Sequence, residues 1–224
     1  PDTPSAAFAA LSGHDGLFWL DSGDSPSHHA RYHFIGCSPT ARFQSSKETL
    51  FDDLRHFLSQ FNDGSEHPHP APRVVGYLSY DSGRFIEYIK DCPVGDLPET
   101  VMMAYDACLT FDMEQGCTWI TSVSSDAADA LIEKLSKTQD PAAAMDQPLA
   151  SPQFELSRDE YLTQIRYIQE LIANGDVYQV NLSHRASMTL SDANSNTQLY
   201  QRLRGRHPAP YGAFLDAGII TLLS

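Results

Sequence analysis

The sequence predicts an α+β fold. Runs rich in aromatic and β-branched residues, bounded by Gly, Ser and Pro, recur through the first 123 residues. Two such runs flank Glu114-Gln115-Gly116, a β-hairpin spacing. Apolar residues at helical spacing fall in separate blocks along the chain.

Taken in order, GLFWLDSG (16–23) and RYHFIGC (31–37) read as strands. Residues 48–61 place Leu50, Leu54, Phe57, Leu58 and Phe61 on one helical face. Burial of each at ~1.5–3 kcal/mol would pin that helix to a sheet, and Asn62-Asp63-Gly64 ends it. RVVGYLSYDSGRFIEY (73–88) reads as a strand running into a turn. VMMAYDACLTFDM (101–113) and CTWITSV (117–123) form the hairpin. Residues 126–137 predict a short helix with Asp126 as N-cap. A Pro- and Ala-rich stretch over 138–153 lacks periodicity. The chain therefore divides into a first region, 1–140, a linker, 141–153, and a second region, 154–224.

Beyond the linker, Ser157 and Glu160 have the spacing of a capping box. Tyr161, Ile165, Ile168 and Ile172 repeat at helical spacing, and Gly175 stands where a C-cap glycine belongs. GDVYQVNLSHR (175–185) then alternates strictly. Tyr178, Val180, Leu182 and Ala186 share one side, and Gln179, Asn181, Ser183 and Arg185 the other. This predicts a strand whose polar face meets either water or a pocket. A helix over 197–206 and a turn plus strand over 209–224 follow. The chain stops at Ser224 inside a strand-like run, so the expectation is an N-terminal piece of a longer protein.

Composition narrows the function. Net charge is −14, from 29 acidic against 15 basic residues. Phosphate backbones are bound through Lys and Arg, so a nucleic-acid partner is not expected. A small anionic substrate is still compatible, because a local Arg or a metal can hold one. No apolar run approaches the ~20 residues of a membrane helix, and no secretory signal pattern opens the chain. The four cysteines, at 37, 92, 108 and 117, form no C-x-x-C pair and read as reduced, mostly buried thiols of a cytoplasmic protein. His67 and His69 sit in an extended HPHP loop without partner ligands at metal-binding spacing.

Several stretches resemble the chorismate-utilising enzymes. YIQELIANGDVYQVNLSHR is similar to the helix-to-strand signature that opens their catalytic part. FWLDSG resembles a first-strand ligand motif, VVGYLSYDSGRFIE the G-Y-x-x-Y-D segment, and LPETVMMAYDACLTFD the strand after it. APYGAFLD and LLS resemble later strands. The motifs occur in family order and cover essentially the whole chain. The resemblance implies two large, mostly antiparallel sheets packed face to face with helices outside, a four-layer α+β fold, here truncated at the C-terminus.

The resemblance also implies sites. Water-adding members of the family carry a lysine at the position of Gln179, whereas aminating members carry Gln and use ammonia. An amide cannot act as a base. Gln179 is thus the expected active-site residue of this chain. Asn181 in YQVNLS, and LDSG in place of L-E-S, resemble the aminodeoxychorismate synthase branch more than the anthranilate synthase branch. Leu20, Ser22, Arg31, Tyr32, Pro210 and Tyr211 match positions that hold tryptophan in relatives, with a hydroxyl for its polar end and apolar walls for an indole. His29 and His33 are expected at the surface. The resemblance places a catalytic lysine, a histidine and the glutamates that bind Mg²⁺ beyond Ser224, so this stretch alone is expected to be inactive. It implies chorismate as substrate and a separate glutamine amidotransferase subunit as partner.

Overall fold

The computed structural model describes residues 1–23, 31–62, 64, 69–88, 95–137, 151–190 and 196–224. These form two compact units, 1–144 together with 196–224, and 145–195.

In the first unit, α1 (Pro4–Ala10) opens with Pro4 in its first turn, and Thr3 Oγ1 accepts from Ala6 N. Next come β1 (Phe18–Asp21), β2 (Tyr32–Gly36), β3 (Ala41–Ser45), α2 (Leu50–Ser59) and β4 (Val74–Leu78). A 3-10 turn over Tyr80–Phe85 leads to β5 (Thr100–Ala104), β6 (Ala107–Asp112), β7 (Cys117–Ser122) and α3 (Ser125–Ser136). The C-terminal stretch adds α5 (Asn196–Arg206), β10 (Gly212–Asp216) and β11 (Thr221–Leu223). One sheet runs β11-β10-β1-β2-β6-β7 and the other β3-β5-β4, with antiparallel pairing throughout.

The sheets face each other across a core of Phe18, Leu215 and Cys108 from the six-stranded sheet and Val75, Val101 and Met103 from the three-stranded one. On the far side of the larger sheet, Phe8 and Leu11 of the α1 segment, Leu131 of α3 and Tyr200 of α5 pack onto Trp19, Ile35, Phe111 and Phe214. On the far side of the smaller sheet, Phe57 of α2 stacks on Phe43 of β3 at 5.5 Å. Helix, sheet, sheet and helix give the four layers, each face covering the apolar face of its neighbour. The expected α+β architecture of two facing antiparallel sheets with helices outside is the one observed.

Local differences have physical reasons. Residues 101–113 are two strands, because the chain changes sheet at Tyr105-Asp106, where the Tyr105 ring is buried and its hydroxyl donates to Gly16 O at 2.7 Å. The N-cap of α3 is Ser124, whose hydroxyl accepts from Ala127 N, rather than Asp126, which lies in the first turn. On α2, Leu50, Leu54 and Phe57 are buried while Leu58 is 40% exposed, so the apolar stripe is narrower than the pattern suggests. Helix α1 and strand β3 were not expected. The linker residues 141–150 and Cys92 lie outside the described residues.

The thiols divide by environment. Cys37 and Cys108 are buried and Cys117 is exposed. Burial raises the Cys37 thiol above its ordinary value and pushes Cys108 up to about 12. A thiol reagent applied to the native protein is expected to modify Cys117 and to leave Cys37 and Cys108 until denaturant is added. Peptide mass spectrometry reads the pattern, and rapid native labelling of Cys108 would contradict the packing described.

The second unit contains β8 (Gln153–Phe154), α4 (Arg158–Asn174) and β9 (Ala186–Ser187). Helix α4 has the expected ends: the Ser157–Glu160 capping box is formed, and Gly175 takes φ 81 at the C-cap. None of its residues is buried. Residues 196–224, expected with the second region, belong by contact to the first unit, where β10 pairs with β1.

Candidate functional site

The first candidate site is built at one end of the larger sheet. Alternation along β1 turns Trp19 and Asp21 to the helix-covered face and Leu20 and Ser22 to the other. The pairing Leu20↔Phe34 and Leu20↔Ala213 carries this face onto β2 and β10. Continued one residue past the ends of β1 and β10, the same register lines up Ser22, Tyr32 and Tyr211, and the Ser22 hydroxyl donates to Tyr32 O at 2.5 Å. The Arg31 guanidinium lies 4.7 Å from the Tyr32 ring centre. Its charge is committed to Asp112 at 2.7 Å and Glu114 at 2.9 Å. Hydrogen bonds from Arg31, then from backbone N–H groups of Gln115 and Glu114, hold the Asp112 carboxyl below the ordinary range. Pro210 and Tyr211 lead into β10. Tyr211 has φ 67 and is 72% exposed, a conformation that non-glycine residues adopt at a cost and one that clusters at ligand sites. Leu20, Ser22, Arg31, Tyr32, Pro210 and Tyr211 thus share one sheet end, although they lie far apart in sequence.

Behind this row, on the opposite face, lies a buried polar cluster that the sequence reading missed. Asp21 is 3% exposed and His33 is fully buried rather than at the surface. His29 lies outside the described residues. Asp21 Oδ1 accepts from Gly23 N at 2.7 Å and lies 3.1 Å from His33 Nδ1. Its Oδ2 accepts from Arg204 Nε at 2.5 Å and from the Tyr200 hydroxyl at 3.1 Å. A bond to an ionised carboxylate is the stronger claim on a shared nitrogen, so His33 Nδ1–H donates to Asp21. Trp19 Nε1 and Ser22 N pack around the same nitrogen at 3.3 and 3.4 Å. Arg204 also lies over the Trp19 ring at 4.8 Å. The signal was available: two strands that bury Trp19 and Ile35 on one face also turn Asp21 and His33 inward, and a buried acid needs a partner.

Burial alone would raise the Asp21 pKa, but hydrogen bonds from His33, Arg204 and Gly23 outweigh it and hold the carboxyl below its ordinary value. The sign follows. A depressed folded pKa contributes stability above the unfolded value of about 3.9 and loses it as pH falls through the folded value. The stability advantage of the wild type over Asp21→Asn is therefore expected to be full at about pH 6 and to shrink below about pH 4. Urea unfolding at a series of pH values checks this, and a gap that widens toward acid would reverse the sign.

Gln179 occupies the second candidate site. In the second unit the chain from Gly175 to Ser183 forms no strand with any described residue, contrary to expectation. A strand is defined by its ladder, and pairing here begins only at Glu155 N→Arg185 O, with Gln153↔Ser187 and Phe154↔Ala186. The His184 ring stacks on Phe154 at 5.4 Å and lies 4.9 Å from Tyr161, which seats the segment on α4. Gln179, Asn181, Ser183 and Arg185 are exposed, and so is Tyr178, at 95%. On the other side Val180 is exposed as well and Leu182 is half-buried.

A family profile described as chorismate binding enzyme matches residues 16–224. The chain is 30% identical to aminodeoxychorismate synthase component 1 of Bacillus subtilis (strain 168), over 93% of this chain and 43% of that relative. It is 28% identical to the protein of the same name from Salmonella typhimurium, over 99% of the chain and 53% of the relative. It is also 28% identical to anthranilate synthase component 1 of Streptomyces coelicolor, over 96% and 46%. The chain spans about half the length of these relatives. Anthranilate synthase component I from Streptococcus pneumoniae shares the fold, with a TM-score of 0.64 at 21% identity over 87% of this chain and 49% of that one. With its four layers in place and the profile spanning all but its first fifteen residues, the chain belongs to the chorismate binding enzymes.

Proposed function

We propose that the chain is the N-terminal part of aminodeoxychorismate synthase component I, which replaces the 4-hydroxyl of chorismate with an amino group. Nitrogen from ammonia enters, and the hydroxyl leaves as water. The observation that carries the reading is the neutral, exposed row Gln179-Asn181-Ser183, which offers hydrogen bonds and no titratable base, so that water is left unactivated and ammonia competes. The relatives named aminodeoxychorismate synthase component 1 support it. Anthranilate synthase is the second reading, favoured by relatives of similar identity.

In the same proposal the row at the end of β1, β2 and β10 holds a tryptophan, with Ser22 at its polar end and Leu20 and Tyr211 as walls. A separate glutamine amidotransferase supplies the ammonia; none of the cysteines sits in a G-x-C-x-G nucleophile setting. Among the described residues no group of three or more His, Cys, Asp or Glu is placed to hold a metal ion. The described residues therefore offer Mg²⁺ no fitted donor set.

The test uses the full-length protein with chorismate and ammonium. Chromatography is expected to give 4-amino-4-deoxychorismate without pyruvate release. Anthranilate with an equivalent of pyruvate would overturn the assignment in favour of the second reading.

A further inference from the structure

The loop that carries Pro210 and Tyr211 leaves the last turn of α5, where His207 N donates to Leu203 O at 2.8 Å, and enters β10 at Gly212. Packing beneath it is incomplete. A cavity of about 170 Å³ lies among Asp21, Tyr200, Arg204, His207, Ala209 and Gly212. Two features fix the loop in spite of that space. Gly23 takes φ 67, and a Cβ there would come within 2.9 Å of Ala209 O, so the Ser22–Gly23 turn and the loop touch backbone to backbone. The Arg204–Asp21 ion pair, with side chains 11% and 2% exposed, ties the last turn of α5 to β1. Asp21 also accepts from Gly23 N. One carboxylate therefore holds both the helix that launches the loop and the turn that the loop rests on.

We propose that Arg204 and Asp21 are the positioning pair of the candidate ligand pocket. From the opposite face of β1, their ion pair sets the distance between Ser22 and Tyr211, and neither side chain touches the ligand. The proposal rests on the reading of that pocket as a tryptophan site. Guanidinium geometry matters here, because Nε donates to the carboxylate while the guanidinium carbon lies over the Trp19 ring.

The test measures L-tryptophan affinity by titration calorimetry and backbone hydrogen exchange over residues 207–213 in the full-length protein. Arg204→Ala is expected to bind about tenfold more weakly, with protection lost over 207–213 and retained in β1, β2 and β6. Arg204→Lys keeps the charge, loses the Nε donor and the planar group over Trp19, and is expected to fall between. It also serves if the alanine variant fails to fold, as checked by circular dichroism. Undiminished affinity in both variants would overturn the proposal, as would loss of protection across the whole sheet. If the wild-type protein binds no tryptophan, the ligand reading falls. Exchange over 207–213 in Arg204→Lys then decides the positioning claim: local deprotection supports it and unchanged exchange defeats it.

Discussion

Gln179→Lys in the full-length protein is expected to lose chorismate amination by about 100-fold or more and to gain slow addition of water to the ring. The amide is a neutral donor and acceptor, whereas a lysine partly buried against substrate has its pKa lowered and becomes a base. Gln179 is exposed among the described residues, so the fold should tolerate the change within about 0.5 kcal/mol. Stability and chemistry are therefore separable. Product chromatography with chorismate and ammonium reads the chemistry, and urea unfolding reads the stability. Unchanged amination would mean that the polar row faces water in the working enzyme.

The second large effect is structural. Trp19→Ala should cost about 3–5 kcal/mol. The Trp19 ring lies 5.0 Å from Phe8, 5.7 Å from Tyr200 and 4.8 Å from the Arg204 guanidinium, at the meeting of α1, α5 and the larger sheet. Its removal opens a cavity and strips the aromatic cover from a buried charge pair. Against a typical domain stability of about 5–15 kcal/mol, the variant should unfold at much lower urea. A loss below about 1 kcal/mol would show that the cluster of Phe8, Trp19, Tyr200 and Phe214 does not hold these layers together.

Much of the fold was legible because burial patterns were local. Leu50, Leu54 and Phe57 announced α2, and the Ser157–Glu160 box with Gly175 set both ends of α4. What escaped depends on partners distant in sequence. Helix α1 is seven residues long, too short for its periodicity to stand out, and is held by Phe8 against Trp19 and Phe214. The break at Tyr105-Asp106 is invisible in a continuous strand-like run, because only the two sheets decide where it falls. The sites behave likewise. Motif resemblance brought out Ser22, Tyr32 and Tyr211, which the sheet register aligns. Asp21, His33 and Arg204 needed the third dimension, since a carboxylate on β1 meets its guanidinium 183 residues later. For residues 175–183, alternation predicted a strand that the described residues do not form, because a ladder requires a neighbour and none of them supplies one.

The central claim is that the Gln179-Asn181-Ser183 row meets the substrate. Hydrogen exchange of the full-length protein with and without chorismate tests it most directly, read over residues 177–187. Slowed exchange confined to that segment on adding chorismate is the result predicted. Exchange there that stays fast at saturating chorismate, while protection appears elsewhere in the protein, would contradict it.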